Sequence, residues 1–329
     1  MKFPPYWTRS ERINKSLYEI DVLKGAYALH PLPEQISLQL LRRSLLKSSL
    51  FSARIEGNPL SLDEITHTGL EESTQRHKRE VANIAKTLET GLKDTQTPFG
   101  LDLLLKIHQG ILADLSAEAG HLRTDESAIY NQAGMAVYLT PTPRQIIPLL
   151  DEWYGYANTS ADPVPVLAAV AHIWFEKIHP FLDGNGRVGR ILTNLILNRN
   201  GYGLGGIVPF EEYLDTHRDE YYEAVAIDRP DVTGFVVFFL EAFLSQGQTA
   251  LKETIQPQVS PDANLLPRRA EILSIIKEHK MVSFDFLARR FQLVPKRTLH
   301  YDLAQLCSGQ YVRKLGATRG AVYVPGEKA

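Results

Sequence analysis

The sequence of 329 residues contains a single cysteine, Cys307, which excludes an internal disulfide framework and suits a reducing compartment. Neither a CxxC pair nor an HExxH helix occurs, so a zinc site is not expected. The longest apolar runs, such as Phe235–Leu240, fall far short of the ~20 residues that span a bilayer. The N-terminus lacks the apolar stretch of a secretory signal. We therefore expect a cytoplasmic protein with no membrane partner.

Neither sign of charge predominates over the chain as a whole, because the formal net charge is only −2. That balance conceals an asymmetry. The segment from Leu265 onward carries 12 Lys and Arg against 5 Asp and Glu, whereas the remainder carries 24 against 33. Such a split indicates parts with different partners. The length also favours more than one domain, because single cores stop growing at roughly 250–300 residues.

The spacing of apolar residues predicts helices over most of the chain, so the expected fold class is mainly α. Pro163–Ile178 is apolar nearly all round, which is typical of a buried central helix. The helix that begins at Ile36 is expected to end at Gly57, with Pro59 beyond it. The predicted helices of this part span residues 36–56, 79–92, 101–112, 163–178 and 187–198.

One segment departs from the helical pattern. Ala133–Pro143 combines β-branched and aromatic residues with prolines, which predicts a short β-hairpin or flap. The chain is expected to return to helix at Pro148.

The C-terminal part predicts a separate domain behind a linker. The stretch Gly247–Pro267 turns polar and proline-bearing, and helices are then expected at 268–279, 283–291 and 296–306, followed by two strands around a glycine-containing turn. This order is that of a winged helix-turn-helix. The predicted boundaries are an N-terminal helical region at 1–59, a helical core at 60–246, a linker at 247–266 and the winged helix-turn-helix at 267–329.

The string HPFLDGNGRVGR, from His179 to Arg190, concentrates residue types that handle phosphate. Gly184, Asn185 and Gly186 allow a sharp turn in which consecutive N–H groups face an anion. The helix that follows adds the positive end of its dipole. Arg187 and Arg190 are three residues apart, so both guanidinium groups lie on one helical face and can reach one polyphosphate.

Two further side chains complete a phosphate-transfer site. Asp183 lies beside the turn, where a carboxylate can hold Mg²⁺ against phosphates. His179 is the group of this string best suited to act as a general base near neutral pH. Each residue taken singly has a simpler structural explanation, a salt bridge for Arg190 or a helix-end histidine for His179. Together they favour transfer of a phosphate-bearing group.

The whole string resembles the signature of the Fic family, H-x-F-x-(D/E)-G-N-G-R-x-x-R, without departure. The order of helices and flap from about Leu60 to Leu244 is also similar to a Fic core. The resemblance implies AMP transfer from ATP to a Ser, Thr or Tyr hydroxyl of a protein, with His179 as the base, Asp183 as the Mg²⁺ ligand and Phe181 as a core anchor. The nucleotide phosphates would then contact Asp183, Gly184, Asn185, Gly186, Arg187 and Arg190.

The resemblance extends to two other segments. Met135, Ala136, Val137 and Tyr138 resemble the flap that covers the nucleotide and pairs with an extended target segment. Tyr221 and Tyr222 resemble an aromatic pair near the adenine, although aromatic residues at helical spacing also serve as core.

An acid ends the helix at residues 36–56, where Glu56 faces the negative end of the dipole at a cost of a few tenths to about 1 kcal/mol. Local rule-breaking of this kind is typical of functional positions. The string SARIEGN, with Ser52 and Glu56 on one face, resembles the Fic inhibitory motif (S/T)-x-x-x-E-(G/N). That resemblance implies that Glu56 pairs with Arg190 and withholds it from the γ-phosphate. The alternative is a solvated helix-end acid.

In the C-terminal module, the third helix presents polar and basic residues at its start, as a recognition helix entering the major groove would. Arg313, Lys314 and Arg319 on the wing are placed to touch phosphates. Winged helices also bind proteins, so both partners stay open. The candidate DNA contacts are Lys296, Arg297, Thr298, His300 and Tyr301.

Three functions are therefore compared. The leading one is an autoinhibited protein adenylyltransferase that uses ATP and Mg²⁺ and modifies an unidentified protein or itself. The second is a DNA-binding regulator whose Fic core senses nucleotide, with an intact motif arguing against it. The third is removal of AMP, or transfer of another nucleotide, through the same site. A homodimer is carried as a candidate assembly, since nothing in the sequence decides the oligomeric state.

Overall fold

The computed structural model describes residues 3–29, 34–66, 72–130, 136–204, 208–226, 228–255, 267–291, 294–316 and 321–326. The chain divides into two compact units, Met1–Ile255 and Gln256–Ala329. The N-terminal region expected at 1–59 belongs to the first unit, because its helices pack against the rest of that unit.

The described part of the first unit is mainly helical, as predicted. Its one sheet is an antiparallel hairpin of β1 (Ala128–Tyr130) and β2 (Ala136–Leu139). Its helices are α1 (Glu11–Ala28), α2 (Glu34–Ile55), α3 (Leu62–Thr66), α4 (Glu72–Lys93), α5 (Leu101–Ile111), α6 (Pro143–Thr159), α7 (Val164–Ile178), α8 (Asn185–Arg199), α9 (Glu211–Thr216), α10 (Arg218–Ala226) and α11 (Thr233–Ile255).

Helix α7 forms the centre of this unit. Every residue from Pro165 to Ile178 is buried, which explains why the segment is apolar nearly all round. Helices α6, α8 and α11 pack against it. Trp153 of α6 fixes the α6–α7 contact by donating a hydrogen bond from its indole N–H to the Ala171 carbonyl, at 2.8 Å. The motif loop therefore follows a helix that is buried along nearly its whole length.

The return to helix after the hairpin comes earlier than predicted. Helix α6 begins at Pro143 instead of Pro148, because proline suits the first helical position, where its missing N–H is not needed. The side chain of Gln145 accepts a hydrogen bond from the Thr142 N–H at 2.9 Å and closes the first turn.

The predicted linker at 247–266 starts too early. Helix α11 continues to Ile255, because Ala250 and Thr254 extend its buried face. Gly247 lies against α1, where a β-carbon would stand 2.4 Å from Leu23 Cδ2, so the glycine serves close helix packing there. Residues 256–266 lie outside the described residues.

Helix α11 is also long and apolar enough, by length and composition alone, for Thr233–Thr254 to cross a membrane. It is the one such helix among the residues that the structure describes. Val236, Phe239 and Phe243 are buried where α11 packs on α1 and α7. Core packing accounts for the apolar character of this helix.

The second unit has its own core and sheet. It contains α12 (Pro267–His279), β3 (Val282–Ser283), α13 (Phe284–Arg290), α14 (Lys296–Ser308), β4 (Val312–Leu315) and β5 (Val322–Pro325). The strands form an antiparallel sheet in the order β3-β5-β4. Three helices and a hairpin were expected in this order. Strand β3 was missed, because two residues are too short to show an alternating pattern.

Candidate active site

The motif loop reverses the chain between α7 and α8. Helix α7 ends at His179, which adopts a left-handed conformation with φ 50° and ψ 59°. Few residues other than glycine populate this region, so the surrounding contacts must hold His179 there. Gly184, with φ +87°, then caps the N-terminus of α8. The predicted arrangement, a loop between two buried helices that feeds a helix N-terminus, matches the structure.

Asn185 closes the loop on itself. Its side-chain oxygen accepts a hydrogen bond from the Phe181 N–H at 2.9 Å, and its amide donates to the Phe181 carbonyl at 2.8 Å. The side chain is buried, so it shapes the turn, and only the backbone of Asn185 is placed to line a phosphate cradle.

His108 of α5 packs against the same loop. Sequence reasoning missed this residue. Its ring stacks on Phe181 with 3.6 Å between centroids. The Gly120 N–H donates to Nδ1 at 2.9 Å, so Nε2 carries the proton and donates to the Asp183 carbonyl at 2.9 Å. Burial lowers the pKa of His108, which keeps this neutral tautomer. Phe181 is fully buried, as expected for a core anchor.

The candidate base, His179, is held as a neutral imidazole. Its Nδ1 lies 3.3 Å from the Glu176 carbonyl, which can only accept, so Nδ1 carries the proton and Nε2 keeps its lone pair. Burial lowers the pKa of His179 to about 4, with a smaller contribution from Arg123, against the opposing effects of Glu56 and Asp183. The imidazole is therefore uncharged at neutral pH.

Arg190 is held by the end of α2. Its Nη2 donates to Glu56 Oε1 at 2.8 Å and to the Ser52 carbonyl at 2.9 Å, while its Nε donates to Ser52 Oγ at 2.9 Å. The arginine side chain is 1% exposed and that of Glu56 is 31% exposed. Burial alone would lower the pKa of Arg190, but the Glu56 carboxylate outweighs that effect and the pKa is raised. Ser52 and Glu56 thus meet Arg190 as their resemblance to the inhibitory motif implies.

The Glu56 carboxylate also covers the start of α8. A β-carbon at Gly186 would stand 2.3 Å from Glu56 Oε1 and 3.0 Å from Arg190 Nη1. The carboxylate therefore rests directly on the glycine turn, where backbone N–H groups and the helix dipole favour an anion.

Arg187 is held by two other acids. Its Nη1 donates to Glu80 Oε1 on α4 and its Nη2 donates to Asp183 Oδ1, both at 2.5 Å. The second oxygen of Glu80 accepts a hydrogen bond from Asn58 Nδ2 at 2.9 Å. Glu80 therefore joins the first motif arginine to the turn that follows Glu56. Burial acts to lower the pKa of Arg187, but Asp183, Glu56 and Glu80 raise it overall.

A polar cavity of about 380 Å³ opens beside these groups. Its lining includes Glu56, Glu80, Asp183 and Arg187, together with Arg76 and His77. The cavity provides space for a charged ligand next to the helix N-terminus.

A family model described as the Fic/DOC family matches residues 98–197, the segment that contains this loop and α8. The chain therefore contains a Fic domain.

Proteins of known name agree with this assignment. The chain is 26% identical over 253 residues to "Protein adenylyltransferase fic-1" of Caenorhabditis elegans, a match that covers 71% of this chain and 47% of that protein. It is 28% identical over 247 residues to "Protein adenylyltransferase Fic" of Culex quinquefasciatus, covering 71% and 45%. The chain thus spans about half the length of these curated relatives.

Solved structures share the fold. A Fic family protein from Desulfovibrio desulfuricans G20 superposes with a TM-score of 0.68 at 24% identity, covering 100% of this chain and 99% of that one. Fic-1 from C. elegans gives a TM-score of 0.59 at 22% identity, covering 74% and 72%. At these identities the likeness establishes the fold alone.

The hairpin next to the Fic motif contains the residues expected in the flap. Met135 and the side chain of Val137 lie outside the described residues. Ala136 is exposed, whereas Tyr138 is buried with Lys177 Nζ 3.9 Å from its ring centroid. Tyr138 therefore anchors the hairpin to α7, and this was not expected of a residue proposed to contact nucleotide.

The two tyrosines of the expected aromatic pair also differ from each other in burial. Tyr221 is 3% exposed and its hydroxyl is 2.9 Å from His172 Nε2, so it belongs to the core and has no ring face open to a base. This corrects the expectation that Tyr221 contacts the adenine. Tyr222 is half-buried and donates to the Ile55 carbonyl at 2.8 Å, at the end of the helix that precedes Glu56.

The carboxylate expected to hold Mg²⁺ fits a metal that arrives with a nucleotide. Asp183 is 64% exposed at the mouth of the cradle, and Mg²⁺ in nucleotide sites takes one or two carboxylates together with phosphate oxygens. Among the described residues no group of three or more His, Cys, Asp or Glu could hold a metal unaided. The donor set matches a shared site, completed by phosphates.

The candidate DNA contacts of the second unit lie at the start of α14. Lys296, Arg297, His300 and Tyr301 are exposed and Thr298 is half-buried. The His300 ring stacks on Phe284 at 3.8 Å, so one of its faces is covered. Arg319 lies outside the described residues.

Proposed function

We propose that this chain is a protein adenylyltransferase that moves AMP from ATP to a hydroxyl group of a protein, with its own chain as one acceptor. The proposal is supported above all by one observation, an unbroken Fic motif folded so that a neutral His179 and two arginines surround the N-terminus of α8. The names of the relatives, protein adenylyltransferases, point to the same reaction.

The chemistry follows from the neutral imidazole. The hydroxyl oxygen of the target attacks the α-phosphorus of ATP while its proton passes to Nε2 of His179. A new P–O bond forms, the bond from the α-phosphorus to the bridging oxygen breaks, and pyrophosphate leaves with the electron pair. The backbone of the Gly184–Gly186 turn, together with Arg187 and Arg190, stabilises the negative charge on the phosphates.

Mg²⁺ bound with ATP would supply further positive charge against the phosphates, and Asp183 is the carboxylate that would hold it. In the present arrangement Asp183 Oδ1 accepts from Arg187, so binding of ATP requires these two side chains to exchange partners.

We further propose that the arrangement is autoinhibited. Glu56 and Ser52 accept hydrogen bonds from Nη2 and Nε of Arg190 and so compete with a γ-phosphate for this side chain, and the Glu56 carboxylate lies where an anion would contact Gly186. Repulsion between this carboxylate and the phosphates adds to the effect. Removal of Glu56 should therefore release the site.

Incorporation of label from ATP tests both parts. With ATP labelled at the α-phosphate and Mg²⁺, Glu56→Gly is expected to label itself or added protein strongly, the wild type weakly, and Glu56→Gly/His179→Ala not at all. ATP labelled at the γ-phosphate should give no incorporation, because phosphoryl transfer is a different reaction. Glu56→Gln and Glu152→Gln form a matched pair, since Glu152 is an exposed acid on α6 far from the motif in sequence.

The outcomes separate the alternatives. Incorporation from γ-labelled ATP would replace the proposal with kinase activity, and a preference for GTP, CTP or UTP would change the nucleotide. Absence of transfer in every variant with any nucleotide would reject the transferase. Release of AMP from an AMP-modified protein by the wild type, but not by Glu56→Gly, would show that removal of AMP is the main reaction.

A second function is supported by the second unit. Its helix order and the sheet β3-β5-β4 resemble those of a winged helix, and the exposed basic residues Lys296 and Arg297 lie at the start of α14. We propose that this unit binds DNA.

Lys296→Ala/Arg297→Ala should weaken binding of the intact chain to a short duplex and reduce the salt slope by about 2. Lys15→Ala/Lys106→Ala makes the same charge change in the first unit and should have no effect. If the wild type does not bind DNA at low salt, the proposal fails.

A further inference from the structure

Arg123 is a buried cation in the loop between α5 and β1 that no part of the proposed reaction uses. The residue is 3% exposed. Burial acts to lower its pKa, and Glu126 partly offsets this. A charge is costly in such a place unless its donors are satisfied, so its contacts define what it holds together.

Among the described residues, the hydrogen bonds of this side chain all go to main-chain carbonyls. Nε donates to the carbonyl of His179 at 2.7 Å, Nη1 donates to that of Asp125 at 2.8 Å, and Nη2 donates to that of Pro141. The N–H of Arg123 itself donates to the Pro180 carbonyl at 3.0 Å. Arg123 thus hydrogen-bonds both to the backbone of the proposed base, His179, and to the backbone at the two ends of the hairpin.

The two residues of the hairpin region that accept from Arg123 flank its two strands. Asp125 comes just before β1 and Pro141 comes just after β2. The two ends of the hairpin are also joined directly, because the N–H and Oγ1 of Thr140 both donate to the Ser127 carbonyl, at 3.2 and 2.7 Å. The hairpin can therefore remain closed without Arg123, and the contact that would be lost is its attachment to His179.

We infer that Arg123 is a positioning residue that sets the hairpin in register with His179, so that a target segment held by the hairpin presents its hydroxyl to the base. This rests on the proposed adenylyl transfer and on the hairpin as the target-binding flap. The planar guanidinium is suited to the role, because its fork satisfies three carbonyls in fixed directions, which an ammonium group cannot do.

Two reactions of the same site should respond differently to the loss of Arg123. Attack by a protein hydroxyl depends on the register between hairpin and base, whereas attack by water on ATP does not use the hairpin. Arg123 also lies apart from the Glu56, Arg187 and Arg190 contacts, none of which involve it. Its loss should therefore reduce transfer to protein more than AMP release to water, and should leave ATP affinity nearly unchanged.

The test uses the intact chain in the Glu56→Gly background, with Arg123→Lys and Arg123→Ala. At saturating ATP and Mg²⁺, transfer to protein is expected to fall about 10–100-fold for Arg123→Ala, the scale of a misplacement of about 1 Å, with Arg123→Lys in between. AMP release to water and the Kd of a non-hydrolysable ATP analogue should stay within about threefold. Arg144→Ala removes an exposed arginine from the adjacent first turn of α6 and should keep the full transfer rate.

Two results would overturn the inference. Unchanged protein transfer in Arg123→Ala would show that the register does not depend on Arg123. An equal fall in protein transfer and AMP release, in both Arg123→Lys and Arg123→Ala, would show that the residue merely holds the fold, and a matching drop in Tm would agree with that reading. Failure of the proposed function is distinguishable, since the Glu56→Gly parent would then transfer no label at all.

Discussion

The carboxylate of Glu56 occupies the space in which Gly186 has no side chain. A β-carbon at Gly186 would lie 2.3 Å from Glu56 Oε1, a distance that side chains do not tolerate. The glycine of the motif therefore makes room for the acid that follows α2, and in the proposed reaction the same space would take a phosphate of the nucleotide.

Gly186→Ala is expected to change the stability of the fold in opposite directions with and without Glu56. In the wild type the new methyl group clashes with the carboxylate and destabilises the first unit. In Glu56→Gly the clash is gone, Arg190 Nη1 at 3.0 Å has only to shift slightly, and alanine in a helix gains up to about 1 kcal/mol over glycine. A double-mutant cycle of unfolding free energies measures the coupling. Additive effects would mean that the two residues do not meet in solution.

Glu80 is expected to strengthen the inhibition, since it binds Arg187 with one oxygen and Asn58 with the other. Glu80→Gln should raise transfer above that of the wild type, by less than Glu56→Gly does. In the Glu56→Gly background the same change should raise transfer less. The hydrogen bond from Asn58 to Glu80 then no longer helps to hold an inhibitory carboxylate at position 56. Initial rates of label transfer test this, with Glu89→Gln on the exposed side of α4 as the control. A lower rate in both backgrounds would indicate that Glu80 orients Arg187 for phosphate.

The pH dependence of transfer should lack the usual histidine limb. Burial lowers the pKa of His179 to about 4, and an acceptor of protons must be deprotonated to work. The rate of Glu56→Gly at saturating ATP should therefore stay level from about pH 8 to about pH 6. It should fall only as the pH approaches 4. Loss of Glu56 strengthens the expectation, because that carboxylate raises the pKa of His179. A half-maximal rate near the unperturbed value of about 6.5 would contradict it.

Glu176 is expected to make the fold less stable at high pH. Burial raises its pKa to about 8, and Oε1 is buried without a hydrogen-bond partner in the described part of the chain. The folded state thus binds a proton that the unfolded chain releases near pH 4.3, so the stability contribution is present below about 4.3 and is lost as the pH rises through about 8. Glu176→Gln cannot ionise and should lose less stability between about pH 6 and pH 8 than the wild type.

Denaturant unfolding followed by tryptophan fluorescence measures this, since all three tryptophans, Trp7, Trp153 and Trp174, lie in the first unit. Glu152→Gln, an exposed acid on α6, should behave like the wild type. Identical pH dependence in wild type and Glu176→Gln would show that Glu176 does not titrate in this range.

Local features of the fold could be predicted well. The buried helix α7, the turn at Gly184 and the helix that follows all lie within a short stretch, where apolar spacing and glycine determine the backbone. Errors arose where packing overrode local signals. Polar residues after Gly247 suggested a linker, yet the close approach of α1 extends α11, and Tyr221 resembled a ligand contact but is used to bond His172.

By itself, the sequence determined which residues form the candidate site, because the proposed base, the carboxylate, the glycine turn and both arginines fall within twelve consecutive residues whose spacing sets their geometry. The pairing of Glu56 with Arg190, 134 residues apart, was implied by the resemblance of SARIEGN to an inhibitory motif. Only the tertiary structure decided what else supports the site, because Glu80 meets Arg187 across 107 residues and Arg123 meets His179 across 56. Contacts between residues so far apart leave no periodicity in the chain, since they arise from the packing of whole helices.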